Sequence, residues 1–155
     1  MTKQEFTQCV LEAENSMYRV AKSIAVNETD CEDAVQQAIL TAYDKLYSLR
    51  DEKYFKTWLI RILINECYKI RKTGRSIVSF EEYMADVSAE NGVDTELRDA
   101  VFSLPQKIRT AIVLHYIEGY SIEESAYILR VPSGTVKSRL YKGRKLLRGM
   151  LEDEI

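Results

Sequence analysis

Between residues 130 and 148 the chain places seven cationic side chains, Arg130, Lys137, Arg139, Lys142, Arg144, Lys145 and Arg148, with no acidic residue among them. Cations at this density suit a polyphosphate backbone, and the residues interleaved with them narrow the chemistry. On a helix, Lys137, Ser138, Tyr141, Lys142 and Arg144 share an outward face, with the remaining cations on its flanks. Lysine can donate to guanine acceptors, and the serine and tyrosine hydroxyls can meet base edges or phosphates. Ser133 and Thr135 stand at the start of the same helix, where exposed backbone amides can hold a phosphate.

The elements around this helix must present it. Ser121 and Glu124 have the capping-box spacing, so a helix starts after Ser121. It reaches only about Leu129, because Pro132 lacks an amide donor and pushes Val131 out of helical geometry. Ser133 is expected to cap the second helix, which turns Val136, Leu140 and Leu147 toward a core, and small Ala126 suits a close helix crossing. Two helices joined by a short turn make a helix-turn-helix. Capping box, turn, proline and basic face occur in that order, which favours nucleic-acid recognition over a merely solvated cationic face.

The rest of the chain is not basic. Its 155 residues carry a formal net charge of -2, with 46% hydrophobic and 30% charged residues, the balance of an ordinary water-soluble protein. Cys9, Cys31 and Cys67 form no CxxC pair and read as buried, reduced thiols of a cytoplasmic chain. No signal peptide or membrane-length apolar run is visible. His115 lies alone in an apolar stretch, and no nucleophile-base pair, glycine-rich phosphate loop or metal cluster appears, so neither enzyme, cofactor nor metal site is expected.

Helical periodicity fills both halves. Phe6, Val10, Ala13, Met17, Ala21 and Ile24 mark a first helix. A second, capped by Thr29 or Asp30, carries Ala34, Val35, Ala38, Ile39, Ala42, Tyr43 and Leu46 on its apolar stripe. A third begins near Phe55 with Leu59, Ile62, Leu63 and Ile70 on one side, and Arg61, Lys69, Arg71 and Lys72 crowd its later part. Residues 74–93 have linker composition, which predicts an all-α chain of two small helical domains, 1–73 and 94–155. In the second, Pro105 is expected as a first helical residue and Gly119 as a stop.

The run SIEESAYILRVPSGTVKSRLYKGRKLLR resembles the helix-turn-helix that ends bacterial sigma factors of the extracytoplasmic-function group, within the sigma-70 family, and its P-x-G-T-V-K-S-R-L pattern is highly specific. The first half is similar to that family independently. TDCEDAVQQAILTAYDKL looks like its polymerase-binding helix, and FKTWLIRILINECYKIRK like its promoter minus-ten helix. Arg130 stands where the family usually has glycine or another small turn residue, and Ser125 where an apolar residue is common.

This resemblance implies a monomeric transcription initiation factor acting in stress or envelope responses. Residues 1–73 would be sigma region 2 and residues 94–155 sigma region 4. Asp33, Gln36 and Gln37 would dock on core RNA polymerase. Tyr54, Phe55, Arg61, Asn65, Lys69, Arg71 and Lys72 would handle the separated minus-ten strand, a task for which aromatic surfaces and cations suit. Ser133, Thr135, Lys137, Ser138, Tyr141, Lys142 and Arg144 would engage minus-thirty-five promoter DNA. An anti-sigma factor, membrane-anchored in many members, would be a further partner. The acidic balance outside the reading helices would restrain nonspecific DNA binding by the free protein. Two readings compete: a helix-turn-helix regulator that never enters polymerase, and an interaction protein whose basic helix meets an acidic partner. A polymerase-docking face and a strand-opening surface discriminate against both.

Overall fold

The structure is a computed structural model that describes residues 1–25, 27–72 and 95–152. All regular structure among the described residues is helical, as the periodicity predicts. The chain divides into two compact units, Met1–Ser76 and Ile77–Ile155. The stretch read as a linker, 74–93, lies outside the described residues.

Among its described residues the first unit packs three helices. α1, Lys3–Lys22, opens with a full capping box: the Thr2 hydroxyl accepts the Glu5 amide at 3.1 Å, and the Glu5 carboxylate accepts the Thr2 amide at 2.8 Å. α2 spans Glu28–Asp44, and its cap is Asn27, whose Oδ1 accepts the Asp30 amide at 2.7 Å. Thr29 and Asp30, expected as caps, therefore lie inside the first turn; asparagine fills the same acceptor role two or three residues earlier. Two short 3-10 turns, Leu46–Ser48 and Glu52–Tyr54, lead into α3, Phe55–Lys72.

The five periodic positions Phe6, Val10, Ala13, Met17 and Ala21 of α1, and Ile24 just beyond it, are buried, as are Ala34, Val35 and Ala38 of α2 and Leu59, Leu63 and Cys67 of α3, the helices that α1 packs against. On α3 the buried face is shifted toward Ile60 and Ile64, leaving Ile62 and Ile70 half-buried. Buried side chains such as Met17 and Leu59 each contribute roughly 1.5–3 kcal/mol of transfer free energy, so this small unit holds its site by apolar packing.

The second unit contains α4, Thr95–Phe102; α5, Gln106–Ile112; α6, Ile122–Leu129; and α7, Ser133–Glu152. Pro105 sits at the N-cap of α5 rather than at its first helical position. α5 runs into a π-helical turn, Val113–Ile117, which periodicity did not foretell. The segment ends at Gly119, whose φ of 79° is the left-handed conformation that glycine adopts without strain. His115 Nδ1 lies 2.7 Å from the Tyr120 carbonyl and closes this corner, a structural role for the lone histidine.

Candidate nucleic-acid interface

The helix-turn-helix is built as its spacing requires. The Ser121 hydroxyl accepts the Glu124 amide at 3.0 Å, and the Glu124 carboxylate accepts the Ser121 amide at 2.9 Å. At the far end of α6 the Val131 amide donates to the Ala126 carbonyl at 3.1 Å and the Arg130 amide to that of Tyr127 at 3.3 Å. This pair of bonds is a Schellman closure. It places Arg130 at φ 59°, ψ 43°, left-handed geometry that costs a non-glycine residue about 1–2 kcal/mol. The closure and the packing beyond it hold the strained residue, whose side chain is exposed beside the basic helix.

α7 begins at Ser133, and the Thr135 and Val136 amides donate to the Pro132 carbonyl. Ser133 is thus the first helical residue, not the cap, because Pro132 already supplies the first acceptor. Val136 and Leu140 are 0% and 1% exposed, and Gly143 continues this buried side, with Leu147 half-buried. Opposite and beside it, Lys137, Ser138, Tyr141, Lys142, Arg144, Lys145 and Arg148 are all exposed. Lys137, Tyr141, Arg144 and Arg148 recur at the three- and four-residue spacing of one helical stripe. Ser133 and Thr135 are half-buried at the helix start.

The first unit carries a second arrangement. Tyr54 is 55% exposed, with the Lys53 ammonium 5.0 Å from its ring centre. Arg71 and Lys72 are exposed at the end of α3, while Arg61 and Asn65 are half-buried. Lys69 is exposed and forms an ion pair: its ammonium donates to Glu66 at 3.2 Å, and Glu66 itself is 5% exposed. Phe55 does not belong to this surface. It is 4% exposed and meets Phe6 edge-on at 5.6 Å, so it is a core residue with no face left for a base. Trp58 is half-buried against Phe55, in keeping with a structural role.

On α2, Gln36 and Gln37 are exposed and Asp33 half-buried. Leu40 belongs to the same side of the helix and is 61% exposed, an apolar residue that the sequence reading passed over. Its signal was present in the spacing, four residues beyond Gln36 and three beyond Gln37. Tyr47, 87% exposed in the 3-10 turn that follows α2, was passed over likewise.

An all-α architecture with a capped helix-turn-helix and an acid-free basic face defines a DNA-binding protein. Comparison with known proteins specifies the class. Residues 10–76 match the family described as Sigma-70 region 2, and residues 94–147 match Sigma-70, region 4. The chain is 32% identical over 158 residues to the ECF RNA polymerase sigma factor SigW of Bacillus subtilis, covering 90% of this chain and 84% of that protein. The ECF RNA polymerase sigma-E factor of Escherichia coli K12 is 33% identical over 151 residues, with 84% and 79% covered. Among solved structures, the sigma factor RpoE from Bartonella quintana, in complex with the anti-sigma factor NepR, superposes with a TM-score of 0.75 at 28% identity, covering 96% of this chain and 98% of that one. CnrH, in complex with the cytosolic domain of CnrY, gives a TM-score of 0.72 at 26% identity, covering 99% and 92%. The chain belongs to the extracytoplasmic-function group of the sigma-70 family, whose members are transcription initiation factors and not enzymes.

Proposed function

We propose that the two units divide promoter recognition between them while the chain is bound to core RNA polymerase. The observation that carries this reading is the presence, in one chain, of both a region 2 match and a region 4 match, each bearing its own exposed surface. Asp33, Gln36 and Gln37, joined by Leu40, form the face of α2 that docks on polymerase. An exposed leucine amid polar side chains is what a contact surface with an apolar centre requires. Tyr54, Arg61, Asn65, Lys69, Arg71 and Lys72 attend the separated minus-ten strand, the aromatic ring by stacking and the cations by their attraction to phosphate. In the second unit, Lys137, Ser138 and Tyr141 read the minus-thirty-five major groove, and Ser133, Thr135, Lys142 and Arg144 fix the helix on the backbone.

The site of action is then the cytoplasm, where polymerase works. No helix among the described residues is long and apolar enough to cross a membrane. Two solved relatives are bound to an anti-sigma factor or to a partner's cytosolic domain, which supports control of this chain by an inhibitor of the same kind in a stress or envelope response. A regulator that acts on duplex DNA alone would need neither the α2 face nor the basic end of α3, and the region 2 match gives that alternative no support.

Run-off transcription with purified core polymerase tests the reading. Promoter-specific transcripts should require both proteins. Their absence, with polymerase that responds normally to another sigma factor, would overturn it.

A further inference from the structure

Tyr116 lies outside the helix-turn-helix, in the π-helical turn Val113–Ile117, yet its hydroxyl is tied to the basic helix. The Arg144 guanidinium donates through Nη1 to Tyr116 Oη at 3.0 Å, across 28 residues of chain. Tyr116 is 52% exposed, so burial does not hold its ring. The His115 ring does, standing edge-on to it at 4.8 Å and 74°, while His115 Nδ1 is itself anchored on the Tyr120 carbonyl at 2.7 Å. Because a carbonyl only accepts, that imidazole nitrogen carries the proton. The wide π turn, a feature often met at functional sites, thus places a phenol beside the stripe of Lys137, Tyr141 and Arg144.

A phenolic oxygen that accepts from arginine keeps its own O–H to donate, and the guanidinium keeps its remaining N–H groups. Both partners of this bond therefore still offer donors to one anion. The geometry points to a joint clamp in which Tyr116 and Arg144 hold a single phosphodiester of duplex DNA. Arginine supplies the charge; tyrosine supplies a second hydrogen bond and fixes the guanidinium before DNA arrives. The inference rests on the reading of α7 as the minus-thirty-five helix, and extends that site to a residue outside the helix-turn-helix.

Tyr116→Phe removes the hydroxyl and keeps the ring against His115. In holoenzyme bound to promoter fragments it should weaken binding about threefold to tenfold, the scale of one hydrogen bond, by the same factor on every minus-thirty-five sequence. The salt slope should not change, since no charge is lost, whereas Arg144→Ala should make it shallower by about one unit. In the Arg144→Ala background, Tyr116→Phe should have a smaller effect, since only the hydroxyl's own bond to the phosphate is left to lose, and one methylphosphonate at a single backbone position should diminish the effect of either variant. If Arg144→Ala weakens binding while Tyr116→Phe does not, or if the tyrosine effect persists undiminished without Arg144, the clamp is overturned and the minus-thirty-five reading stands. If Arg144→Ala and Tyr116→Phe both bind all sequences as the parent does, the clamp and the assigned phosphate role of Arg144 fall together.

Discussion

A Cβ placed on Gly143 would lie 2.7 Å from Cδ1 and 2.8 Å from Cγ1 of Ile112, so the basic helix meets α5 with no room for a side chain. Ile112 is 3% exposed and has little space to retreat. Two effects oppose each other in Gly143→Ala: overpacking costs typically 1–3 kcal/mol, and alanine recovers about 1 kcal/mol of helix propensity. The net loss should be about 0–2 kcal/mol, read from urea unfolding. Gly143→Leu recovers nearly the same propensity but must fit a far larger side chain into the same gap, and should lose several kcal/mol. A leucine variant as stable as the parent would show that the contact is not close in solution.

Ser125 is fully buried, and its hydroxyl has no hydrogen-bond partner among the described residues. An unsatisfied buried hydroxyl costs about 1–3 kcal/mol, and serine is also the poorer helix former. Ser125→Ala should therefore stabilise the second unit by about 1 kcal/mol, seen as a higher urea midpoint at unchanged slope. Loss of stability would mean that a water satisfies the hydroxyl.

The three thiols should differ in reactivity. Burial pushes the Cys31 thiol up to about 12 and raises Cys67 as well, whereas Cys9 is only half-buried. Native protein should react with a thiol reagent at Cys9 first, and Cys31 and Cys67 should follow only on unfolding. The linkage has a definite sign: a thiol whose folded pKa is raised contributes stability below its unfolded pKa and loses it as pH rises toward the folded value. Stability of the first unit should accordingly decline from about pH 9 toward 12 in part through Cys31. Equal labelling rates for all three thiols in native protein would contradict this burial.

Much of this architecture was legible because local physics decides it. The Ser121–Glu124 box and Pro132 mark the helix-turn-helix with no reference to the rest of the chain. Arg130 was anomalous in the sequence and is left-handed in the structure. Phe55 failed for the opposite reason: an aromatic residue at a helix start is equally at home in a base pocket or a core, and only its tertiary contact with Phe6 separates the two. The π turn was invisible to a 3.6-residue pattern, and with it the approach of Tyr116 to Arg144. Leu40 was hidden by its own hydrophobicity, since exposure cannot be read from residue type.

Promoter opening should depend on the end of α3. Lys69 is a poor probe, because its removal strips the buried Glu66 carboxylate of its ion-pair partner and perturbs the fold. Asn65→Ala combined with Arg71→Ala and Lys72→Ala avoids that pair. This variant should slow strand separation, followed by permanganate reactivity, more than it weakens duplex binding. Opening at the parental rate would remove this surface from the proposed mechanism.

Lys137 gives the sharpest test of base reading. It is exposed in the second turn of α7, four residues after the start at Ser133, where a recognition helix meets base edges. A lysine that donates to guanine acceptors distinguishes one base pair from another, whereas a lysine on phosphate does not. Lys137→Ala should therefore cost about 1–3 kcal/mol on the preferred minus-thirty-five sequence and relax preference at one or two positions, leaving poor sequences nearly unaffected. Arg148 lies farther along the same stripe, toward the helix end, so Arg148→Ala should produce at most a uniform loss with a shallower salt slope. Holoenzyme binding across a minus-thirty-five library at several salt concentrations separates the two patterns. A uniform loss for Lys137→Ala would assign it to the backbone, and no loss for either variant would leave this part of α7 as an ordinary solvated face.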